Sequence, residues 1–234
     1  MITSAHNTQL KQIRRLHRRR GREQSGRFVA EGEDLLAAAD AAGWPALERY
    51  CAAGSDLPGT EVAPDALRGV SALGSGTRAL AVYEQRWAAP AGPLCVGLWG
   101  VGDPGNIGTV LRGGAAFGAA SVVLGPGCAD PYGPKAVRAS MGAVFAVPLA
   151  RVTAPDALPG ERIALAAHQG EPLRDALRAA AGEVSVLVGG EREGLPDQVI
   201  AACDRVAHVP IASESLNAAM AGTIALYELR MARP

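Results

Sequence analysis

Apolar positions along the chain follow two different rhythms. From residue 94 onward, short apolar runs alternate with alanine-rich stretches at helical spacing. The runs at 94–99, 121–124, 145–147, 162–167, 184–188 and 205–209 predict strands, and 107–117, 134–141, 172–180 and 196–202 predict helices between most of them. Such alternation implies right-handed crossovers and a parallel α/β sheet. Upstream the pattern is shorter and mixed: a basic helix near 8–20, a strand at 28–31, a helix at 34–42, a strand at 47–51, a looser Pro/Gly-rich stretch, and a strand at 80–84. The run Ala88-Ala89-Pro90-Ala91-Gly92-Pro93 reads as a linker. Two units are therefore expected, residues 1–90 and 91–234, with no internal repeat. Helix signals are clear at two places: Pro134 fits a first helical position with Gly142 just past the end, and Asn106 fits an N-cap.

Composition narrows the class. With 234 residues, 48% of them hydrophobic and 20% charged, the chain has enough apolar surface for one large or two modest cores and is not disordered. Its net charge is zero, but that balance hides an asymmetry. Lys11, Arg14, Arg15, His17, Arg18, Arg19, Arg20, Arg22 and Arg27 crowd the amino-terminal stretch, opposed there only by Glu23. A concentrated basic segment in a neutral chain is usually directed at a polyanion, against the alternative of a solvated helix face. Cys51, Cys95, Cys128 and Cys203 are scattered without Cys-x-x-Cys spacing, so neither a zinc site nor a disulfide framework is expected. No apolar run is long enough for a bilayer, and the arginine-rich start lacks a signal-peptide core; a soluble, cytoplasmic protein is the expectation.

Three segments carry candidate chemistry. Gly100-Val101-Gly102-Asp103-Pro104-Gly105 is a literal G-x-G-x-x-G after an apolar run. A dinucleotide site also wants an acidic residue about twenty positions on, which 121–125 lacks, and Pro104 suggests a tight turn before Asn106 rather than a helix opening on a pyrophosphate. The helix 107–117 holds Gly113 and Gly114 in its interior, each costing about 1 kcal/mol relative to alanine. Close approach of another backbone or of a substrate would justify them. Arg112 lies beside the apolar face of that helix, where its guanidinium could reach a phosphate, with an ordinary surface arginine as the alternative. Finally, the turn Gly189-Gly190-Glu191-Arg192-Glu193-Gly194-Leu195-Pro196 and the segment Val209-Pro210-Ile211 … Ser215-Leu216-Asn217 each follow an apolar run. Open α/β sheets build ligand crevices in this way at strand carboxyl ends.

Taken in order, Asn106-Ile107-Gly108 with Arg112 and Phe117-Gly118, the turn around Glu191, and Pro210-Ile211 with Ser215-Leu216-Asn217 resemble the three motifs of the SpoU-type RNA ribose 2′-O-methyltransferases of the SPOUT superfamily. Asp130-Pro131-Tyr132, Lys135, Arg138-Ala139-Ser140-Met141-Gly142 and Phe145 resemble the segment between the first two motifs. The resemblance runs from Leu94 to the end. More loosely, Asn7, Lys11, the Arg18–Arg20 cluster and Phe28-Val29-Ala30-Glu31-Gly32-Glu33 are similar to an accessory domain in a branch that includes ribosomal RNA methyltransferases conferring antibiotic resistance. Arg192 stands where relatives often have a smaller, more flexible residue.

The resemblance implies a knotted parallel-sheet α/β methyltransferase domain preceded by a smaller amino-terminal α/β RNA-binding domain. It implies S-adenosylmethionine held by Gly189, Gly190, Val209, Ile211 and Leu216, and a catalytic set of Asn106, Arg112, Glu191, Ser215 and Asn217. Ser215 can equally be a helix N-cap. No metal is implied. Lys11, Arg18, Arg19, Arg20, Lys135 and Arg138 would contact RNA, ribosomal RNA by preference and transfer RNA second. Alternatives are a non-catalytic RNA-binding protein on the same scaffold and a methylase of base nitrogens. The resemblance also implies a homodimer through the carboxyl-terminal helix, where apolar and small residues from Leu216 to Met231 occupy nearly every face.

Overall fold

The computed structural model describes residues 1–73 and 76–232. Its amino-terminal part contains α1 (Thr8–Leu16), α2 (Arg19–Ser25), β1 (Arg27–Glu31), α3 (Glu33–Ala41), β2 (Glu48–Ala52), β3 (Thr60–Val62), α4 (Pro64–Arg68) and β4 (Ala79–Glu84). These strands form a mixed sheet in the order β1-β4-β2-β3. The remainder contains β5 (Leu94–Trp99), α5 (Pro104–Phe117), β6 (Ser121–Leu124), α6 (Pro134–Ala139), β7 (Leu149–Arg151), β8 (Glu161–Leu165), β9 (Glu171–Pro172), α7 (Leu173–Ala179), β10 (Val184–Gly189), α8 (Asp197–Ala201), β11 (Arg205–His208) and α9 (Ala218–Ala232). Its seven strands are all parallel, in the order β7-β6-β5-β10-β8-β11-β9. From β5 the chain builds outward through β6 and β7; β10, β8 and β11 lie on the other side. The reversal between β5 and β10 is where open α/β sheets leave a crevice at the strand carboxyl ends. Strands β5, β6 and β10 are buried along their whole length, which explains why they read as continuous apolar runs rather than alternating ones.

The two sheets share one hydrophobic core. Phe28, Trp44 and Tyr83 from the first part meet Tyr132 and Phe145 from the second, with ring centroids 4.7 Å apart for Phe28–Tyr132 and 5.0 Å for Tyr83–Phe145. Beside this cluster, the Arg22 guanidinium donates from Nε to Asp130 Oδ2 at 2.8 Å and from Nη1 to the Leu16 carbonyl, with Nη2 in ion-pair contact with the same Oδ2 at 2.8 Å. The segment 88–93 is tied down too. Ala88 N–H donates to Leu149 O at 2.7 Å, and Ser121 Oγ donates to Ala91 O at 2.7 Å.

Several sequence expectations are corrected. The basic stretch 8–20 is two helices, not one: Arg18 is extended between them, and the turn lets Arg22 reach inward to Asp130. The apolar run 145–147 is not a strand. Ala143–Phe145 is a 3-10 turn that delivers Phe145 to the aromatic cluster, and the strand comes later, at Leu149–Arg151. Asn106 is not an N-cap. Asp103 caps α5 by accepting from Gly105 N–H, and Pro104 is the first helical residue rather than part of a preceding turn. Gly113 and Gly114 admit neighbours of the same chain, not a substrate. A Cβ on Gly113 would lie 3.2 Å from Thr223 Oγ1 on α9, and one on Gly114 3.3 Å from Val122 Cγ2 on β6.

Candidate active site

The carboxyl ends of β10, β8 and β11 open into a cleft of about 340 Å³. Its wall includes every residue expected to hold a cofactor: Gly189, Gly190, Val209, Ile211 and Leu216. Two of these positions require glycine. A Cβ on Gly189 would sit 2.0 Å from the Gly194 carbonyl carbon, and one on Gly190 would sit 2.4 Å from Gly100 O. Without side chains, the turn closes on itself through Gly194 N–H to Gly190 O, 2.9 Å, and lies flat on the end of β5. The G-x-G turn thus serves as a platform for the neighbouring loop.

Across the cleft, the backbone N–H groups of Ile211 and Leu216 have no acceptor among the described residues, so they are free to meet a ligand. Their apolar side chains form wall, and Glu191, Glu193 and Asp197 supply carboxylates. This donor set fits S-adenosylmethionine, which presents an aromatic base with hydrogen-bonding edges, a short apolar chain and two cationic centres. Sequence reasoning missed one wall, formed by Leu165 at the end of β8 and by Ala166, Ala167 and Gln169 after it. The signal was present: an apolar run ends in Gly170, as the other two end in glycine or proline loops. His168 fastens this loop to the third motif through its Nε2, 3.1 Å from Ser213 O.

A chain of polar side chains links the three motifs. Asn106 Nδ2 donates to Glu191 Oε1, and Asn217 Nδ2 donates to Asn106 Oδ1 at 3.2 Å. Asn217 Oδ1 meanwhile accepts from Ala219 N–H and Met220 N–H, capping α9. Asn217, not Ser215, is therefore the N-cap; Ser215 lines the cleft, exposed. Residues 85 and 111 positions apart are thereby fixed in one hydrogen-bonded line from α5 to the cleft.

Arg112 is not part of that line. It is exposed, lies on a different face of α5, and lines a separate shallow groove with Ala38, Ala115, Met141 and Gly142. No carboxylate among the described residues pairs with it. The basic residues likewise divide. Lys11, Arg18, Arg20 and Arg138 are exposed and unpaired among the described residues. Arg19 pairs with Glu23 at 2.7 Å. Lys135 pairs with Asp103 at 2.9 Å, and that ammonium, with the backbone at Gly105, holds the Asp103 carboxyl below its ordinary pKa. Arg14 is spent on the Gly69 and Ala5 carbonyls. No group of three or more potential metal ligands occurs among the described residues, and none of their helices is long and apolar enough to cross a membrane.

Comparison with known proteins gives a consistent picture. Residues 93–227 match the model of the SpoU rRNA Methylase family, and residues 7–84 match an MRM3-like substrate binding domain. A 23S rRNA (guanosine(2553)-2′-O)-methyltransferase of Bacillus subtilis, RlmP, is 29% identical over 98% of both chains. An AdoMet-bound rRNA methyltransferase from Sinorhizobium meliloti superposes with a TM-score of 0.88 at 28% identity, covering 100% of this chain and 98% of that one. The SpoU methyltransferase AviRb from Streptomyces viridochromogenes, in complex with AdoMet, gives 0.85 at 27% identity, covering 97% and 98%.

Proposed function

Because the chain belongs to the SpoU rRNA methylase family, we infer that it methylates a ribose 2′-hydroxyl of ribosomal RNA with S-adenosylmethionine as methyl donor. The observation that carries this reading is the hydrogen-bonded line Glu191–Asn106–Asn217 at the edge of a cleft whose lining suits the cofactor. Relatives of nearly equal length support it, being ribosomal RNA 2′-O-methyltransferases or AdoMet complexes by name.

S-adenosylmethionine supplies an electrophilic methyl group. Gly189, Gly190, Val209, Ile211 and Leu216 hold it through backbone groups and apolar walls. Asn106, Glu191, Ser215 and Asn217 fix the approach of the ribose, and such positioning can take about 7–11 kcal/mol off the barrier. Arg112 orients the nucleotide and stabilises developing alkoxide charge. A guanidinium does not deprotonate in proteins, so Arg112 is not assigned as the base. Carboxyl-terminal threading of the chain into a knot, and a boundary between two domains near residue 90, belong to the same reading.

The reading includes a homodimer. Around α9, Ala218, Ala219, Gly222, Ala225, Leu226 and Leu229 are buried on one side, while Met220, Tyr227 and Met231 form an exposed stripe on the other. Phe117 of α5 packs edge-on against Tyr227, extending this face. A second chain on the stripe would cover it and bring Arg112 of one protomer to the cleft of its partner, which accounts for Arg112 standing apart within one chain. Mixing Arg112→Ala protein with a cleft-blocked Leu216→Arg variant should then restore part of the activity. A monomer by light scattering at assay concentration would contradict the dimer.

The activity is tested by incubating purified protein with methyl-labelled cofactor and separate ribosomal and transfer RNA pools. Label is expected in ribosomal RNA and absent with Asn106→Ala. Label confined to transfer RNA would move the substrate assignment, and cofactor binding without transfer to any RNA would overturn the enzyme reading.

A further inference from the structure

The notch between α1 and α2 holds two adjoining depressions that no step above uses. One, of about 260 Å³, is walled by Ile13, Leu16 and Val82 and bordered by the amides of Gln9, Gln12 and Gln24. None of these three amides has a hydrogen-bond partner among the described residues. Arg15 and Arg27 stand at its edge, with Glu48 opposite, its carboxylate accepting the Tyr50 hydroxyl. The other, wider depression, of about 360 Å³, shares Arg15, Gly21 and Gln24 with the first and adds Arg18 and Arg20. Its charged lining is three guanidiniums and no carboxylate. The neighbouring cations have other duties: Arg14 holds carbonyls, Arg19 is paired with Glu23, and Arg22 is buried on Asp130.

We propose that this notch binds one unpaired RNA nucleotide, with its base in the glutamine-lined pocket and its phosphates on Arg15, Arg18 and Arg20. The proposal rests on the reading that the substrate is RNA. The glutamine-lined pocket, at about 260 Å³, lies just under the ~300–1,000 Å³ that accommodates drug-sized ligands, a size suited to a single heterocycle. Carboxamides present donor and acceptor side by side, as the edge of a base does, and apolar walls with arginine planes suit its faces. A paired base cannot enter, because its edge is already spent and its faces are stacked. An acidic peptide would satisfy the arginines but leave the apolar walls and three amides unused.

The test uses the full chain and two fluorescent RNA hairpins, one carrying a single bulged nucleotide and one fully paired, titrated across a salt series. The wild-type protein should prefer the bulged hairpin. Replacing Gln9, Gln12 and Gln24 together with alanine should reduce that preference about tenfold while leaving the salt slope unchanged. Replacing Arg15, Arg18 and Arg20 with glutamine should lower the slope by about 2, at ~0.7 per phosphate contact on single strands. The six side chains are solvent-exposed, and thermal melts matching wild type confirm folding; Gln12→Ala and Gln24→Ala alone should each shift the preference in the same direction. Absence of a wild-type preference, or its survival in the glutamine variant, overturns the proposal. Methyl transfer to ribosomal RNA, measured on the same preparations, separates this failure from failure of the activity reading: transfer without bulge preference rejects the notch alone.

Discussion

Removing the Asp130 carboxylate should destabilise the protein far more than a surface ion pair would suggest. Arg22 and Asp130 side chains are 5% and 8% exposed, and two of the guanidinium's donor groups meet one carboxylate oxygen at 2.8 Å. Truncation to alanine leaves a buried cation with only the Leu16 carbonyl as partner. Breaking a buried pair from one side costs about 3–5 kcal/mol. For a chain of this size each kcal/mol lowers Tm by about 2–4 °C, so Asp130→Ala should melt roughly 6–20 °C lower. Asp130 also accepts from Tyr132 N–H at 3.0 Å, and Asp130→Asn keeps that acceptor while removing the charge; it should therefore be less damaging. Replacing both partners with apolar residues, Arg22→Met with Asp130→Leu, should recover most of the loss. Urea titrations and calorimetry of the four proteins decide it. An Asp130→Ala loss below about 1 kcal/mol, the range of an exposed pair, would refute the idea that this contact locks the two sheets together.

Other expectations are equally direct. Arg112→Lys should lose methyl transfer while cofactor affinity, measured by calorimetric titration, stays near normal, because a point charge does not reproduce a planar fork. Gly190→Ala should lose cofactor binding, since its Cβ would press to 2.4 Å from Gly100 O and displace the turn. The Glu228 carboxyl is held below its ordinary pKa by hydrogen bonds from Arg174, which join α9 to α7. A depressed carboxyl stabilises the fold above its unfolded pKa and loses that contribution as pH falls through the lowered folded value. Arg174→Gln should accordingly flatten stability against pH below the ordinary glutamate range and leave it unchanged in slope at neutrality.

Much of this architecture was legible in the chain because its signals were local. The buried strands β5, β6 and β10 announced themselves as apolar runs, and the glycine turn at 189–194 as a break that no helix or strand would carry. What stayed hidden depended on distant partners. Phe145 looked like strand because its destination, a cluster with Phe28, Trp44 and Tyr83, lies more than sixty residues upstream in sequence. The break between α1 and α2 follows from Arg22 reaching Asp130, 108 positions away. The site residues separated along the same line. Asn106, Glu191 and Asn217 converge within one chain, whereas Arg112 points to another groove, and no spacing rule distinguishes the two cases. Asn106 also illustrates how a capping residue type can be misplaced: Asp103 and Pro104 together define the helix start, leaving Asn106 within the first turn and free for Glu191.

That this protein methylates a ribose 2′-hydroxyl is tested by identifying the methylated product. Ribosomal RNA treated with the protein and isotopically labelled S-adenosylmethionine would be digested to nucleosides and resolved by mass spectrometry. The label should appear in a single 2′-O-methylribonucleoside and disappear with Asn106→Ala and Arg112→Ala. Label on a base, or equal labelling by those variants, would contradict it.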